Sequence, residues 1–112
     1  MLFYEFEAGN KTYKLRLSTR NIVSLEKQIG CNPIGIFGKG DTIPTISQMV
    51  AVLFYSLQQY QHGITMNDAY DIFDNYLADG NSATDFIGVI LSVYNVSGIT
   101  KDMSGKEEAE KN

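Results

Sequence analysis

Thr45-Ile46-Ser47-Gln48-Met49-Val50-Ala51-Val52-Leu53-Phe54-Tyr55-Ser56-Leu57-Gln58-Gln59-Tyr60-Gln61-His62-Gly63 is the stretch on which the fold turns. Thr45 and Gln48 have the spacing of a capping box and Gly63 is a stop, so the pattern predicts a helix over 45–62. Ile46, Met49, Val50, Leu53, Leu57 and Tyr60 recur at three- and four-residue steps on one face. Val52, Phe54 and Tyr55 lie off that face. A helix apolar around most of its girth is covered from several sides, so the rest of the chain is read as its cover. The stretch from Met49 to Tyr55, the longest in it without a polar residue, is too short for a membrane span.

Downstream, Ile64 suits a hydrophobic staple and Thr65 caps a helix over 66–78. Ala69, Ile72, Phe73, Tyr76 and Leu77 form its expected buried face, while Asp68, Asp71 and Asp74 recur every three residues elsewhere on its surface. Asp79-Gly80-Asn81 ends it, and Ser82 caps a helix over 83–97 with Asp85 in the first turn, where a negative charge suits the dipole. Phe86, Ile87, Val89, Ile90, Leu91, Val93, Tyr94 and Val96 again cover most of the circumference, so this helix is expected to pair with the central one. Ser97-Gly98 closes it. Residues 101–112, with Met103 and Ala109 as their only apolar members, read as a disordered charged tail.

Upstream, Leu2-Glu7 and Thr12-Leu17 alternate apolar and polar residues with the period of a half-buried strand, which predicts a hairpin over 2–17. Gly9-Asn10 tolerates the positive φ of a tight turn. On its outer face Glu5 and Glu7 are expected opposite Lys14 and Arg16. Ser18 and Thr19 start a helix over 19–29 that stops at Gly30. Pro33-Ile34-Gly35-Ile36-Phe37 suits one short helical turn, and Gly38 to Pro44 is a loop by composition. The fold class that follows is α+β, predominantly α: a single domain over 1–100 in which an N-terminal hairpin packs with about four helices.

The 112 residues are 44% apolar, the composition of a folded chain, and Cys31 stands alone, so no disulfide framework is available. Met1-Leu2-Phe3-Tyr4-Glu5 shows no basic segment leading into an apolar run, so a soluble, intracellular protein without a secretory signal is expected. The net charge of -4 is unevenly spread: Lys and Arg are absent between Gly40 and Thr100, where six aspartates lie, and residues 1–39 are mildly basic. Such polarity favours association with a basic partner or head to tail with another copy. The scattered basic residues form no dense patch, which argues against nucleic acid.

No catalytic constellation emerges. His62, the only histidine, falls at the predicted helix end, where free carbonyls await it, and no nucleophile motif accompanies it. Cys31 and His62 lack partners at ligand spacing, Asp74 to Asp85 lacks the ligand pattern of an EF-hand, and Gly35, Gly38 and Gly40 are not followed by a phosphate-binding helix start. The expectation is no enzyme activity, no cofactor and no metal. Phe54, Tyr55, Val89 and Val93 exceed what one core face needs, so either the hairpin and first helix cover them or a partner does. Phe54 and Tyr55, with the Asp68, Asp71 and Asp74 face, are the candidate partner-binding residues.

The hairpin ending in Tyr13-Lys14-Leu15-Arg16-Leu17-Ser18-Thr19, the helix carrying Leu25-Glu26-Lys27-Gln28-Ile29-Gly30, the Gly/Pro loop and the helix start Ile43-Pro44-Thr45-Ile46 together resemble the tail assembly chaperones of long-tailed bacteriophages and prophages. The resemblance runs from about Phe3 to Gly98 and is a pattern of helix starts and core positions. It implies a non-enzymatic protein of the host cytoplasm that binds the tape measure protein and recruits the major tail tube protein, compatible with a homo-oligomer and without nucleic acid or membrane partners. It also implies a second, longer product made by frameshifting, and Gly105-Lys106 and Glu110-Lys111-Asn112 are both encodable by slippery heptamers. The alternative from another class is a structural tail-completion or connector protein retained in the virion.

Overall fold

In the computed structural model, which describes residues 2–38 and 43–101, the chain first reverses at Gly9 and Asn10, with φ of 59° and 65°. Both angles lie in the left-handed region that a two-residue hairpin turn requires, and Gly and Asn enter it at low cost. A side chain at Gly9 would also meet Asn75 at 2.9 Å, so this turn sits tightly on the helix beneath it. The strands it joins are β1 (Tyr4–Ala8) and β2 (Lys11–Leu15), paired antiparallel with Phe6 opposite Tyr13 and Glu5 opposite Lys14. They are shorter than the expected 2–17 hairpin.

One outer-face pairing differs from expectation. Glu7 lies opposite Thr12, and Arg16 falls beyond the end of β2. The Arg16 guanidinium instead donates to the carbonyls of Leu2 and Val96, at 2.9 and 3.0 Å. The Val96 carbonyl at the end of its helix has no partner within the helix, and Arg16 satisfies it, whereas an ion pair on the solvated outer face contributes little.

Ser18 caps α1 (Thr19–Ile29), which stops at Gly30 in the left-handed conformation. Asn32 caps a short 3-10 turn over Pro33–Phe37, with Pro33 at its start. Residues 39–42, most of the expected connecting loop, lie outside the described residues, as do Met1 and the 102–112 part of the expected tail.

The three remaining helices, α2 (Ile46–Leu57), α3 (Met66–Ala78) and α4 (Ala83–Val96), each begin with a complete capping box: Thr45 with Gln48, Thr65 with Asp68, and Ser82 with Asp85. In each, two backbone N–H groups left free by helix geometry are satisfied locally, so these starts are fixed by sequence alone.

α2 occupies the centre, against α1, α3, α4 and β2. Met49 through Leu53, with Ser56 and Leu57, are buried, so the apolar surplus of this helix is covered from several sides. Val52, read as off the core face, and Val89 and Val93, read as exceeding one core face, are buried as well. Ile46 is half-exposed at the first turn. On α3, Leu77 is exposed, not part of the buried face, and Ala69, Ile72, Phe73 and Tyr76 suffice to seat the helix.

α2 ends at Leu57, short of the expected 62, so Tyr60 is not on its face. The reason lies in the glutamines. Gln58 Nε2 donates to the Phe54 carbonyl, and the Leu57 carbonyl takes both the Gln61 backbone N–H and Gln61 Nε2, so side-chain amides share in closing the helix end. His62, expected to serve there, is exposed beyond them.

Four rings tie the hairpin to the helices. Phe6 lies 5.1 Å from Tyr76 and 5.8 Å from Phe86, and Phe73 lies 5.1 Å from Phe86. Each such contact contributes about 0.5–1.5 kcal/mol beyond its buried area. The inner face of β1 is thereby fixed over α3 and α4.

Candidate functional site

Three surface features bear on function, and each begins with how a local element presents its side chains. On α3, Thr65 accepts from the Asp68 N–H at 3.1 Å and the Asp68 carboxylate accepts from the Thr65 N–H at 2.9 Å. The Thr65 backbone bond, followed by its side-chain bond, holds the Asp68 carboxyl below the usual range. Asp68 is therefore occupied with capping, and the acidic face reduces to the exposed Asp71 and Asp74. Tyr70 and Leu77, 45% and 37% exposed, stand one turn before and after Asp74. Sequence reasoning missed this mixed stripe by assigning Leu77 to the core; the available signal was that Tyr70, Asp74 and Leu77 follow one another at four- and three-residue steps.

Phe54 and Tyr55 occupy a different place. Both are half-buried and pack on the core, with ring centroids 4.8 Å apart and nearly perpendicular. The Tyr55 hydroxyl donates to Gln28 Oε1 at 3.1 Å, which lays this residue against α1. The two rings thus close the seam between α1 and α2. No hydrogen bond or ring contact among the described residues joins them to the aspartates of α3.

The third feature is the hairpin, whose two outer edges differ. A two-residue turn makes Ala8 and Lys11 a hydrogen-bonded pair, and the alternation continues through Phe6–Tyr13 and Tyr4–Leu15. The backbone groups of Glu5, Glu7, Thr12 and Lys14 consequently point away from the partner strand. On the β2 side, the Gln61 amide acts as a substitute strand: Oε1 accepts from the Lys14 N–H at 2.8 Å and Nε2 donates to the Lys14 carbonyl at 3.0 Å. Arg16 N–H, next along, donates to the Ser56 carbonyl at 3.0 Å. On the β1 side, no hydrogen bond among the described residues takes up the backbone of Glu5 or Glu7.

Against the hairpin lies a cavity of about 740 Å³, lined by Tyr4, Phe6 and Glu7 of β1, Asn10 of the turn, Lys11 and Thr12 of β2, Tyr76 of α3, Val89 of α4, and Asp79 and Asn81 between those helices. Burial, helped by the charge of Asp85 and by Tyr4, raises the Tyr76 hydroxyl above the ordinary phenol range. It is a neutral hydrogen-bonding group at physiological pH. Asp79 Oδ2 accepts from the Gly9 N–H at 2.9 Å, which pins the turn at one end. No sequence pattern announced this edge, because which side of a hairpin is covered depends on residues far along the chain such as Gln61.

Among the described residues, no three His, Cys, Asp or Glu side chains converge as metal ligands. Cys31 is a half-buried free thiol. No described helix is long and apolar enough to cross a membrane. Comparison with curated proteins and with solved structures gave no match. A family model does match, over residues 5–112, from the first residues of β1 onward. The chain belongs to that family, described as a family of unknown function (DUF6096).

Proposed function

We propose that the protein is a tail assembly chaperone of a long-tailed bacteriophage or prophage. In this reading it has no catalytic role and works in the host cytoplasm, where it binds the tape measure protein and the major tail tube protein while the tail is built. The observation that carries the reading is the order of elements: a short hairpin, a helix stopped by glycine, a Gly/Pro-punctuated connection and a Thr-capped central helix. That is the order on which the resemblance to these chaperones rests.

The exposed face of α3 supports the same reading. Tyr70 and Leu77 offer apolar contact beside the charges of Asp71 and Asp74. A long helical partner with apolar stripes and flanking basic residues fits such a face, laid along it as a helix against a helix. Phe54 and Tyr55 belong to the partner surface in this proposal only at the α1–α2 seam, and Asp68 only through its position on the same helix.

The deciding experiment is the DNA sequence across the last codons of the gene and the region beyond it. A slippery heptamer at Gly105-Lys106 or Glu110-Lys111-Asn112 with an open shifted frame, followed by a long tape-measure gene, is expected. Neither heptamer nor tail genes would reject the reading. Detection of the chain in purified virions would instead favour a structural tail-completion or connector protein.

A further inference from the structure

The β1 edge carries two outward residues, Glu5 and Glu7, whose backbone groups take no hydrogen bond among the described residues. We propose that β1 receives an extended segment of a partner protein as an added antiparallel or parallel strand, and that the segment alternates basic and apolar residues. This assignment does not depend on the tail-assembly reading.

The backbone supplies the first part of the argument. A two-stranded sheet leaves a row of N–H and C=O groups along each outer edge, and folded proteins cover or block such rows. Here the β2 edge is covered at Lys14, which Gln61 brackets, and just past its end the Ser56 carbonyl takes the Arg16 N–H, while the Thr12 backbone has no hydrogen bond among the described residues. At Glu5 and Glu7 on the β1 edge, both donors and both acceptors are left outward, at the spacing that an incoming strand matches.

The side chains supply the second part. Glu5 and Glu7 stand exposed on the outer face of β1. Lys14, the residue directly across from Glu5, holds its ammonium over the Phe3 ring at 5.0 Å. A strand added beside β1 brings its own outer-face residues next to Glu5 and Glu7, where lysine or arginine is favourable. The same two charges disfavour a second copy, because β1 laid against β1 sets glutamate against glutamate. The occupant is therefore basic and foreign.

The inner face specifies the alternate positions. Tyr4 and the buried Phe6 point inward from β1 toward Tyr76 and Val89, at the apolar end of a cavity whose other wall carries Lys11 and Asn81. Inward residues of an added strand fall beside Tyr4 and Phe6, so a valine, leucine or phenylalanine there leaves water for that cavity. Main-chain bonds supply affinity and the two faces supply the pattern.

The test uses the full chain and two synthetic peptides of identical composition, one alternating lysine and valine and one with the lysines and valines in separate blocks. Amide resonances are followed by NMR during titration. With the alternating peptide, the Glu5 and Glu7 amides should shift and gain protection from exchange, while Lys14, already bonded to Gln61, should keep its protection. Glu5→Pro removes an outward donor without touching a β1–β2 bond and should weaken binding roughly tenfold or more. The exposed pair Glu5→Lys with Glu7→Lys leaves every backbone group in place and should transfer the preference to an alternating glutamate–valine peptide. Equal binding of the blocked peptide would reduce the effect to charge attraction and overturn the proposal. So would a dimer of the free chain that Glu5→Pro abolishes, since the edge would then serve a second copy.

Discussion

The hydroxyl of Tyr94 donates to the carbonyl of Pro33 at 2.8 Å in the interior, joining α4 to the 3-10 turn across 61 residues of sequence. Phe37 stands edge-on to the same ring at 6.3 Å. Burial, with a lesser contribution from Cys31, pushes the Tyr94 phenol well above its ordinary value. Tyr94→Phe leaves a carbonyl without its donor, at an expected cost of about 1–3 kcal/mol in urea unfolding at neutral pH. The sign of the pH dependence follows from the raised value. The unfolded phenol ionises near pH ~10, so the contribution is whole below that and declines as pH rises toward the folded value. The deficit of Tyr94→Phe should narrow above pH ~10. A deficit constant from neutral to strongly alkaline pH would contradict this.

The Thr65–Asp68 box gives the opposite dependence. The Asp68 carboxyl is lowered by its bonds to Thr65, so its contribution is present above the unfolded carboxylate value of ~4 and fades as pH falls through the folded one. Asp68→Ala, which removes the titrating carboxylate itself, should lower Tm by a few degrees at neutral pH. Thermal scans of both proteins should converge on acidification below ~4.

Gln61 is the test of the closed edge. Gln61→Ala removes the bonds to the Lys14 N–H, the Lys14 carbonyl and the Leu57 carbonyl, which water replaces only in part. The expected cost is about 1–2 kcal/mol. Hydrogen exchange should accelerate at the Lys14 amide and stay unchanged at Glu5 and Glu7; uniform acceleration across the hairpin would show Gln61 to be a general support instead.

Asp71 and Asp74 separate binding from folding. Both are exposed, so Asp71→Lys with Asp74→Lys should alter unfolding free energy by no more than about 0.5 kcal/mol. If the proposed function holds, capture of a tape measure protein should fall sharply, and more so at low salt. Unchanged capture would remove the α3 face from the proposed function.

What the sequence made legible was local. Thr45, Thr65 and Ser82 announce helices because each cap is completed within three residues, and Gly9-Asn10 announces its turn because only the backbone there is unusual. The errors came where a distant residue decided. α2 stops at Leu57 because the Gln58 and Gln61 side-chain amides satisfy its last carbonyls while Gln61 also reaches across to β2, a pairing 47 residues apart. Arg16 left the sheet face because α4 ends beside it with a free carbonyl at Val96. Leu77 looked like core because period alone cannot say where a buried face ends. Asp71 and Asp74 lie exposed on α3, yet nothing in the three-residue spacing revealed that Asp68 was already engaged as a cap.

The exit from β2 is held by the far end of the fold: Leu17 N–H donates to Ser97 Oγ at 2.9 Å, and Arg16 reaches Val96. In a chain made N-terminus first, the groups that fasten this exit are therefore among the last to emerge. Until Ser97 has cleared the ribosome, the nascent protein lacks its final fastening. Any product that diverged at Gly105 or later would already carry it, so long and short forms would present the same domain to whatever they meet.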